Sequence, residues 1–264
     1  MASFLDKILP GVREELAKRK AAEPISSVMA RAKENRNRRD IRDRLGNGPG
    51  IIAEIKRASP SRGWIRKDLH AAETARAYAE GGACAISVLT EGRYFGGSLD
   101  DLSAASTSCG TVPVLRKDFV LDEYMVAESR ACGADLVLLI VAVLGNETGR
   151  LAREAATFGM EALVEVHDEK ELEMAAACGA ALIGINNRNL ATLRVDLETS
   201  RRLLPMVPGN AVKIVESGIG SPAEIAEFSS MGADAFLVGE TLVRAGNPAA
   251  AIRTLRGYRT PAKG

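Results

Sequence analysis

The sequence predicts an α/β protein, a single (β/α)8 barrel of the TIM type with an N-terminal helical extension. Eight short apolar runs alternate with eight segments of helical spacing along 264 residues, and about 250 residues is the usual size of such a barrel. Four of the helical segments end in Gly-Ala, at Gly82, Gly133, Gly179 and Gly232, directly before an aliphatic run. Glycine suits the left-handed residue after a helix, and strands joined by crossover helices are parallel.

Each predicted strand is a short aliphatic or β-branched run. The strands are placed at Ile51–Lys56, Ala83–Leu89, Val112–Arg116, Asp135–Val141, Glu161–Val166, Ala181–Ile185, Val212–Glu216 and Ala235–Val238. The helices are placed at Ala71–Glu80, Ser98–Ser106, Asp122–Ala131, Glu147–Phe158, Lys170–Ala177, Ser200–Met206, Pro222–Ser230 and Pro248–Leu255. A doubly wound sheet is less favoured because it would more often carry a GxGxxG turn after its first strand, which this sequence lacks.

Three segments make up the predicted domain organisation. Residues 1–45 form the helical extension, with helices at Ser3–Lys20 and Pro24–Leu45. The barrel is assigned to residues 46–258, and the tail, 259–264, is expected to be disordered. The second helix is rich in arginine, and a solvated helix face is the favoured interpretation, ahead of attraction of an anionic substrate and of nucleic-acid binding.

Composition excludes several classes of function. Lys and Arg number 35 against 34 Asp and Glu, so the net charge gives no attraction to nucleic acid or to a membrane. The longest apolar run, Leu136–Leu144, is far shorter than the roughly 18–20 residues of a membrane span. Four separated cysteines without a CxxC pair are expected to be reduced thiols, which favours a cytoplasmic location.

The inventory of titratable residues narrows the chemistry. The chain has two histidines, His70 and His167, which argues against a histidine metal site or a Ser-His-Asp triad. We expect no metal and no cofactor, and acid–base chemistry that relies mainly on lysine and glutamate. The sequence leaves the oligomeric state open, a monomer being one option.

Two charged residues lie at the end of the first predicted strand. Glu54 and Lys56 are two residues apart, which places them on the same face of a strand. Charges in an enclosed strand cost several kcal/mol unless they are paired. A built functional site is one interpretation, and a salt bridge on an edge strand is the other.

Further polar residues follow the other strands, at the end where active sites of this barrel lie. They are Thr90, Glu91, Lys117, Asp118, Glu165, His167, Asn186, Arg188, Glu216 and Ser217, whereas the fourth strand contributes none. A catalytic site is the favoured interpretation, since proximity and partial desolvation tune the pKa values of lysine and glutamate. An ion-pair network that closes the barrel mouth is the alternative.

The last two units carry the pattern of a phosphate site. Gly218 and Gly220 follow the seventh strand, and Gly239 follows the eighth. Ser221-Pro222-Ala223-Glu224 reads as a capping box with proline at the first helical position. Exposed backbone N–H groups at these loops are the usual phosphate cradle of the barrel.

Several ordered blocks resemble the indole-3-glycerol-phosphate synthase family of tryptophan biosynthesis. The blocks begin with Ala53–Ser61 and continue with Ala85–Glu91, Tyr94–Ser98, Leu115–Phe119, Leu163–His167, Gly184–Leu190 and Glu216–Ile219. The resemblance extends over about Ile51 to Leu255, and the helical extension also fits the family. The chain departs from the family pattern at Glu123 and Met125, where Pro and Gln are expected, and at Leu69-His70, where Asp-Pro is more usual.

The resemblance implies a carboxy-lyase that closes 1-(2-carboxyphenylamino)-1-deoxyribulose 5-phosphate to indole-3-glycerol phosphate with loss of CO2 and water. Lys117 matches the family's catalytic lysine and is expected to be the general acid at the ketose carbonyl. Glu165 is expected to serve the later dehydration. Glu54 would hold and tune the lysines, with Lys56 in that network or near the phosphate. The residues expected to orient the sugar hydroxyls and the ring closure are Asn186, Glu216 and Ser217.

The resemblance also assigns substrate-binding residues. The backbone at Gly218, Gly239 and Glu240 is expected to hold the phosphate, with the Glu240 carboxylate turned away because it would repel a dianion. Ser59 and Arg188 are further candidates for phosphate contact. The residues expected to line the anthranilate pocket are Arg57, Phe95 and Phe119.

Two other functions stay open from the sequence. One is a Schiff-base lyase or aldolase on a sugar phosphate, with Lys117 or Lys56 as nucleophile. The other is a non-catalytic, phosphate-ligand-binding barrel, against which the set of Glu54, Lys56, Lys117 and Glu165 argues. The neighbouring pathway isomerase is less favoured because its barrel carries a catalytic cysteine on the first strand, and the first strand here has none.

Overall fold

The computed structural model describes residues 3–35, 38–46 and 48–257. Its centre is a closed barrel of eight parallel strands that pair in chain order, with the first strand against the last. The strands, named β1 to β8 in chain order, are Gly50–Ile55, Ala85–Leu89, Val114–Lys117, Leu136–Ile140, Glu161–Val166, Leu182–Asn186, Val212–Glu216 and Ala235–Val238. The predicted (β/α)8 barrel with an N-terminal helical extension is confirmed.

Closure joins β1 to both of its neighbours. Ile52 lies opposite Leu237 of β8 on one side and opposite Ala85 of β2 on the other. Every residue of β1 is buried, including Glu54. Because a closed barrel has no edge strands, the interpretation of Glu54 and Lys56 as an edge-strand salt bridge is wrong.

Helices surround the barrel and connect its strands. The α-helices are Phe4–Ala22, Ile25–Glu34, Ala71–Glu80, Gly92–Phe95, Leu99–Ser108, Glu123–Ala131, Val141–Leu144, Thr148–Thr157, Glu169–Ala177, Glu198–Leu203, Pro222–Ser230, Glu240–Arg244 and Pro248–Leu255. Short 3-10 helices occupy Arg42–Arg44, Gly145–Glu147 and Leu204–Met206, and Ala58–Ser59 pairs with Gly63–Trp64 in a small antiparallel hairpin after β1. No helix in the described part of the chain is long and apolar enough to cross a membrane.

The first helix of the extension runs from the loop after β6, where Phe4 contacts Ala191, to the segment after β3, where Lys20 contacts Asp122. Ser3 caps it in a capping box with Asp6, which satisfies N–H groups that the first turn would otherwise leave unpaired. Its buried side chains are Phe4, Ile8, Val12 and Leu16, and this spacing of four places them on one face. The backbone N–H of Phe4 donates to the carbonyl oxygen of Ala191, so the helix begins at the edge of the mouth.

The predicted second helix, Pro24–Leu45, is too long. It ends at Glu34, and Asn35 is extended. Arg39 Nε lies 2.7 Å from Asp135 Oδ2, and Arg39 Nη2 donates to Ser106 Oγ at 2.7 Å. These contacts with the base of the barrel hold residues 38–40 outside a helix, and helix propensity alone does not predict them.

The structure differs from the predicted end of the fourth strand, and it does not describe the predicted tail. Val141, predicted to end the fourth strand, begins the short helix Val141–Leu144. The tail, 259–264, and Tyr258 lie outside the described residues. The division at residue 45 between the extension and the barrel stays a prediction.

Candidate active site

A cavity of about 790 Å³ opens at the carboxyl ends of the strands. All eight strands contribute to its lining, through Glu54, Leu89, Lys117, Leu138, Glu165, Asn186, Glu216 and Leu237. Of the fifteen residues that the sequence predicts for the site, fourteen line this cavity, and Arg57 does not. Residues far apart in the chain therefore meet in one place, as expected for the carboxyl ends of barrel strands.

Lys117, at the end of β3, lies between two buried carboxylates. Its Nζ is 2.7 Å from Glu165 Oε2 and 3.0 Å from Glu216 Oε2. The two glutamate side chains are each 1% exposed and that of Lys117 is 12% exposed. Gly184 of β6 leaves space for the second carboxylate, because a Cβ at that position would collide with Glu216 Oε1.

The pKa values of these three groups move in different directions. Burial disfavours the ammonium form of Lys117, but the charges of Glu165, Glu216 and Glu54 raise its pKa above the ordinary value. Burial likewise disfavours ionisation of Glu165, but Lys117 and His167 lower its pKa below the ordinary value. Burial raises the pKa of Glu216 to about 7, against the opposing effect of Lys117 and with the help of Glu165. At neutral pH, Lys117 is therefore protonated and Glu165 is ionised, whereas Glu216 exchanges its proton near neutral pH.

Glu54 and Lys56 form a second ion pair in the lining of the cavity. Lys56 Nζ lies 2.6 Å from Glu54 Oε1, with side-chain exposures of 16% and 6%. Gly239, after β8, lies directly against this pair, since a Cβ there would collide with the Glu54 carboxylate and lie 3.0 Å from Lys56 Nζ. The backbone of the β8 loop therefore packs against one side of the pair, while both side chains line the cavity.

The loops after β7 and β8 form one rim of the cavity. Ser217 (φ 64°) and Gly218 (φ 85°) both adopt left-handed backbone conformations, which places a sharp turn directly after Glu216. The N–H groups of Gly220 and Ser221 donate to Glu224 Oε2, so the capping box takes up those two donors. The Glu240 carboxylate contacts Arg244 Nε at 3.0 Å and lies 3.8 Å from Arg62 Nε.

Polar residues from β6 and the β1 loop complete the rim. Asn186 Oδ1 accepts from the backbone N–H of Arg188 at 3.0 Å, and Arg188 Nη1 donates to the carbonyl oxygen of Leu193 at 2.9 Å. Burial lowers the pKa of Arg188 from its ordinary value, although a guanidinium stays charged in proteins. Ser59 faces the same cavity from the hairpin after β1.

The sequence as a whole matches one family of enzymes. The model of the indole-3-glycerol phosphate synthase family matches residues 5–255. An indole-3-glycerol phosphate synthase of a Nocardioides species is 50% identical over 260 residues, covering 98% of this chain and 100% of the relative. The chain belongs to the indole-3-glycerol phosphate synthase family. A second relative of the same name, from Mycolicibacterium gilvum, is 48% identical over 257 residues, covering 96% of this chain and 94% of its own.

Solved structures of lower identity share the barrel. A thiamine phosphate pyrophosphorylase from Pyrococcus furiosus superposes with a TM-score of 0.60 at 20% identity, covering 83% of this chain and 97% of its own. A structure described as KGPDC from Streptococcus mutans gives 0.61 at 15% identity, covering 80% and 97%. At these identities the likeness shows the fold alone.

Arg57 does not line the cavity, contrary to the expectation that it contacts an anthranilate carboxylate. Its guanidinium forms a paired contact with Asp101 at 2.6 and 2.7 Å. It also donates to the carbonyl oxygens of Leu69 and Gly96. Although Arg57 follows Lys56 directly, its side chain turns outward to the helix Leu99–Ser108, which carries Asp101.

Apolar side chains also line the cavity, and the sequence predicts only some of this apolar wall. Phe95 and Phe119 line the cavity as expected. Phe4 of the extension also lines it and packs edge-on to Phe119, with ring centroids 6.4 Å apart. The further apolar residues of the wall are Leu138, Ile140, Leu190, Leu193, Val195, Ile219 and Leu237. The fourth strand, which offered no polar residue, thus contributes Leu138 and Ile140.

Some residues near the strand ends serve the loops instead. Glu91 caps the short helix Gly92–Phe95 by accepting from three of its N–H groups. Thr90 donates to Asp118, whose carboxylate also pairs with Arg116 at 3.0 Å. Within the described part of the chain, no group of three or more His, Cys, Asp or Glu side chains is arranged to hold a metal ion.

Proposed function

We propose that this protein closes 1-(2-carboxyphenylamino)-1-deoxyribulose 5-phosphate to indole-3-glycerol phosphate, with loss of one CO2 and one water. The observation that carries the proposal is the Lys117 ammonium, held between Glu165 and Glu216 at the cavity. A fixed cation beside a cavity can stabilise the negative charge that develops on a carbonyl oxygen. Membership of the family supports the same substrate.

Lys117 is the proposed general acid. As the aromatic carbon of the substrate forms a bond to the ketose carbonyl carbon, Lys117 Nζ gives a proton to the carbonyl oxygen, which becomes a hydroxyl group. CO2 then leaves the ring carbon that formed the bond, and its bonding electrons restore the aromatic ring. The raised pKa of Lys117 keeps the amine protonated at neutral pH, which favours the acid over the nucleophile of a Schiff-base lyase.

Glu165 serves the later dehydration, and Glu216 positions the groups around it. Water leaves when the new hydroxyl group takes up a proton from solvent, which breaks its bond to the carbon, and the ring system gives a proton to a base. Glu165, whose pKa is lowered, is the proposed base that takes the proton. Glu216, with a pKa of about 7, holds the position of Lys117 and helps to orient the sugar hydroxyls.

The remaining residues bind and orient the substrate. Glu54 tunes the lysines, and Lys56 acts either in that network or on the phosphate; their ion pair beside Gly239 supports both roles. Asn186 and Ser217 orient the sugar. The proposed phosphate contacts are the backbone at Gly218, Gly239 and Glu240 and the side chains of Ser59 and Arg188.

The apolar wall is the proposed site of the anthranilate ring. Phe95 and Phe119 line the cavity, and Phe4 packs against Phe119. Apolar contact there would fix the ring against the carbonyl, and such positioning supplies up to ~7–11 kcal/mol in favourable cases. The near-balanced charge and the family favour a cytoplasmic enzyme without nucleic-acid or membrane partners. A monomer is the working proposal, which light scattering would test.

The decisive experiment adds the purified protein to the anthranilate-derived ketose phosphate and follows indole fluorescence. We expect Lys117→Ala to lower kcat by at least about 10²-fold. Lys170→Ala, which makes the same change at an exposed helical position, should leave kcat unchanged. Absence of indole product with the wild-type protein would reject the proposal, and borohydride trapping of a substrate on Lys117 would favour the Schiff-base lyase.

A further inference from the structure

His167 lies directly behind Glu165, on the side away from the cavity. It is the first residue after β5. Its Nε2 is 3.4 Å from Glu165 Oε1, and its Nδ1 is 3.0 Å from Glu171 Oε2. The imidazole therefore connects a carboxylate of the site to one outside it.

The second carboxylate is fixed in place. Glu171 belongs to the first turn of the helix Glu169–Ala177, where its backbone N–H donates to the capping residue Asp168. Its Oε2 also accepts from the backbone N–H of His167 at 2.8 Å. A carboxylate against Nδ1 requires a proton on that nitrogen, so the orientation of the imidazole is set from behind.

The other ring nitrogen faces Glu165. Nε2 is buried, and none of the residues that the structure describes forms a hydrogen bond of normal geometry with it. Glu165 Oε1 is the charged atom beside it, while Glu165 Oε2 contacts Lys117. The two oxygens of one carboxylate are thus divided between two cations when the imidazole is protonated.

The charges that act on the imidazole come from two elements. They are Glu165 on β5 and Glu171 on the following helix, and against the opposing effect of burial they raise the pKa of His167 to about 10. The short helix Val141–Leu144, which also packs against β5 and Glu169–Ala177, has only apolar side chains. Lys117 lies beyond Glu165, on its cavity side.

We propose that His167 is a positioning residue, whose imidazolium holds Glu165 ionised and keeps its Oε2 directed at Lys117. This inference rests on the proposed function, in which Glu165 takes a proton. Lys117 is shared between Glu165 and Glu216, so one ammonium faces two buried carboxyl groups. A second cation behind Glu165 lets this carboxylate ionise while Glu216 remains the group that titrates.

The first test is the pH profile of His167→Gln, which removes the charge and retains a polar side chain. Glu165 is active when ionised, so loss of the imidazolium should move the acidic limb of kcat to higher pH by about 1 unit or more. At a pH on that limb, kcat of His167→Gln should be about tenfold below that of the wild type, and its KM should stay within about twofold of the wild-type value. His70→Gln is the matched control, because His70 is exposed, and its profile should equal that of the wild type.

Rescue and a direct titration complete the test. His167→Lys, which restores a cation, should return the acidic limb toward the wild type. With two histidines in the chain, the imidazole NMR signal that persists in His70→Gln belongs to His167, and it should stay that of an imidazolium up to about pH 9.

Each negative result has a distinct meaning. If the wild type forms indole but the acidic limb of His167→Gln does not move, the positioning role alone is overturned. Titration of His167 near its ordinary pKa of 6.5 would have the same meaning. Absence of indole from the wild type would reject the proposed function instead. If His167→Gln does not fold, Glu171→Gln keeps an acceptor for the backbone N–H of His167 and should move the limb in the same direction by less.

Discussion

The side-chain amide of Asn187 donates a hydrogen bond to the carbonyl oxygen of Ser217 at 3.0 Å. Ser217 and Leu193 are the two residues other than glycine that have positive φ in the described part of the chain. Such a conformation costs of order 1–3 kcal/mol and persists where its surroundings hold it. Asn187 is itself fixed, because its Oδ1 accepts from the backbone N–H of Ser200 at 3.0 Å. The turn between Glu216 and Gly218 is therefore stabilised by Asn187, the first residue after β6.

Asn187→Ala should loosen this turn. The change removes the bond to Ser217 and leaves the buried N–H of Ser200 without its acceptor, at a cost of about 1–3 kcal/mol in the free energy of unfolding. Because the turn carries proposed phosphate contacts, KM for the ketose phosphate should rise several-fold more than kcat falls. Urea unfolding and steady-state kinetics measure both.

A double-mutant cycle with Ser217→Gly checks the mechanism. Glycine accepts positive φ without strain, so the destabilisation by Asn187→Ala should be smaller in the Ser217→Gly background. Equal destabilisation in both backgrounds would show that Asn187 acts without Ser217.

The sequence predicts the barrel and the charged cluster because both follow local rules. Apolar runs and helix-ending glycines place the eight strands to within a few residues, and the strand-end rule then brings Lys117, Glu165 and Glu216 together. Lys117 and Glu216 end β3 and β7 in the structure, as these rules require.

The parts that the sequence does not predict depend on contacts between distant segments. The side chain of Arg57 turns outward because its guanidinium pairs with the Asp101 carboxylate. The second helix ends at Glu34, and Arg39, beyond its end, pairs with Asp135 of the barrel. Phe4 lines the cavity because the first helix begins beside the loop after β6, where the N–H of Phe4 donates to the carbonyl oxygen of Ala191. The sequence gives a weak indication of the space that Glu216 occupies, because Gly184 lies inside a strand and glycine there often marks the close approach of another group.

The pKa of Glu216 predicts a pH dependence of stability. Its ordinary value is 4.5 and burial raises it to about 7, so the folded protein binds this proton more tightly than the unfolded chain does. Its contribution to stability is present below pH 4.5 and is lost as pH rises toward 7. Glu216→Gln cannot lose a proton, so its free energy of unfolding relative to the wild type should increase by up to about 3 kcal/mol from about pH 4.5 to about pH 8.

The matched control is Glu173→Gln, at an exposed position of the helix Glu169–Ala177. It should change the free energy of unfolding by less than about 0.5 kcal/mol at either pH. A relative stability of Glu216→Gln that is the same at both ends of the range would contradict the raised pKa.

Arg57 should matter for stability and not for substrate binding. Arg57→Ala leaves Asp101, whose side chain is 13% exposed, without its cation, and the free energy of unfolding should fall by about 3 kcal/mol. In Asp101→Asn the uncompensated charge is absent, so adding Arg57→Ala there should cost less. KM of the folded variant should stay within about threefold, and a large rise in KM at unchanged stability would place Arg57 in substrate binding after all.

Gly239→Ala should disturb the ion pair of Glu54 and Lys56 directly. The added methyl group would meet the Glu54 carboxylate and lie 3.0 Å from Lys56 Nζ, so one side chain must move. Misplacement of about 1 Å can cost about 10²-fold in rate, and we expect kcat/KM to fall at least about tenfold. Gly246→Ala, where the added methyl group meets nothing within 4 Å, should keep full activity. Wild-type kcat/KM in Gly239→Ala, measured by indole fluorescence, would show that the close approach of the β8 loop has no part in catalysis.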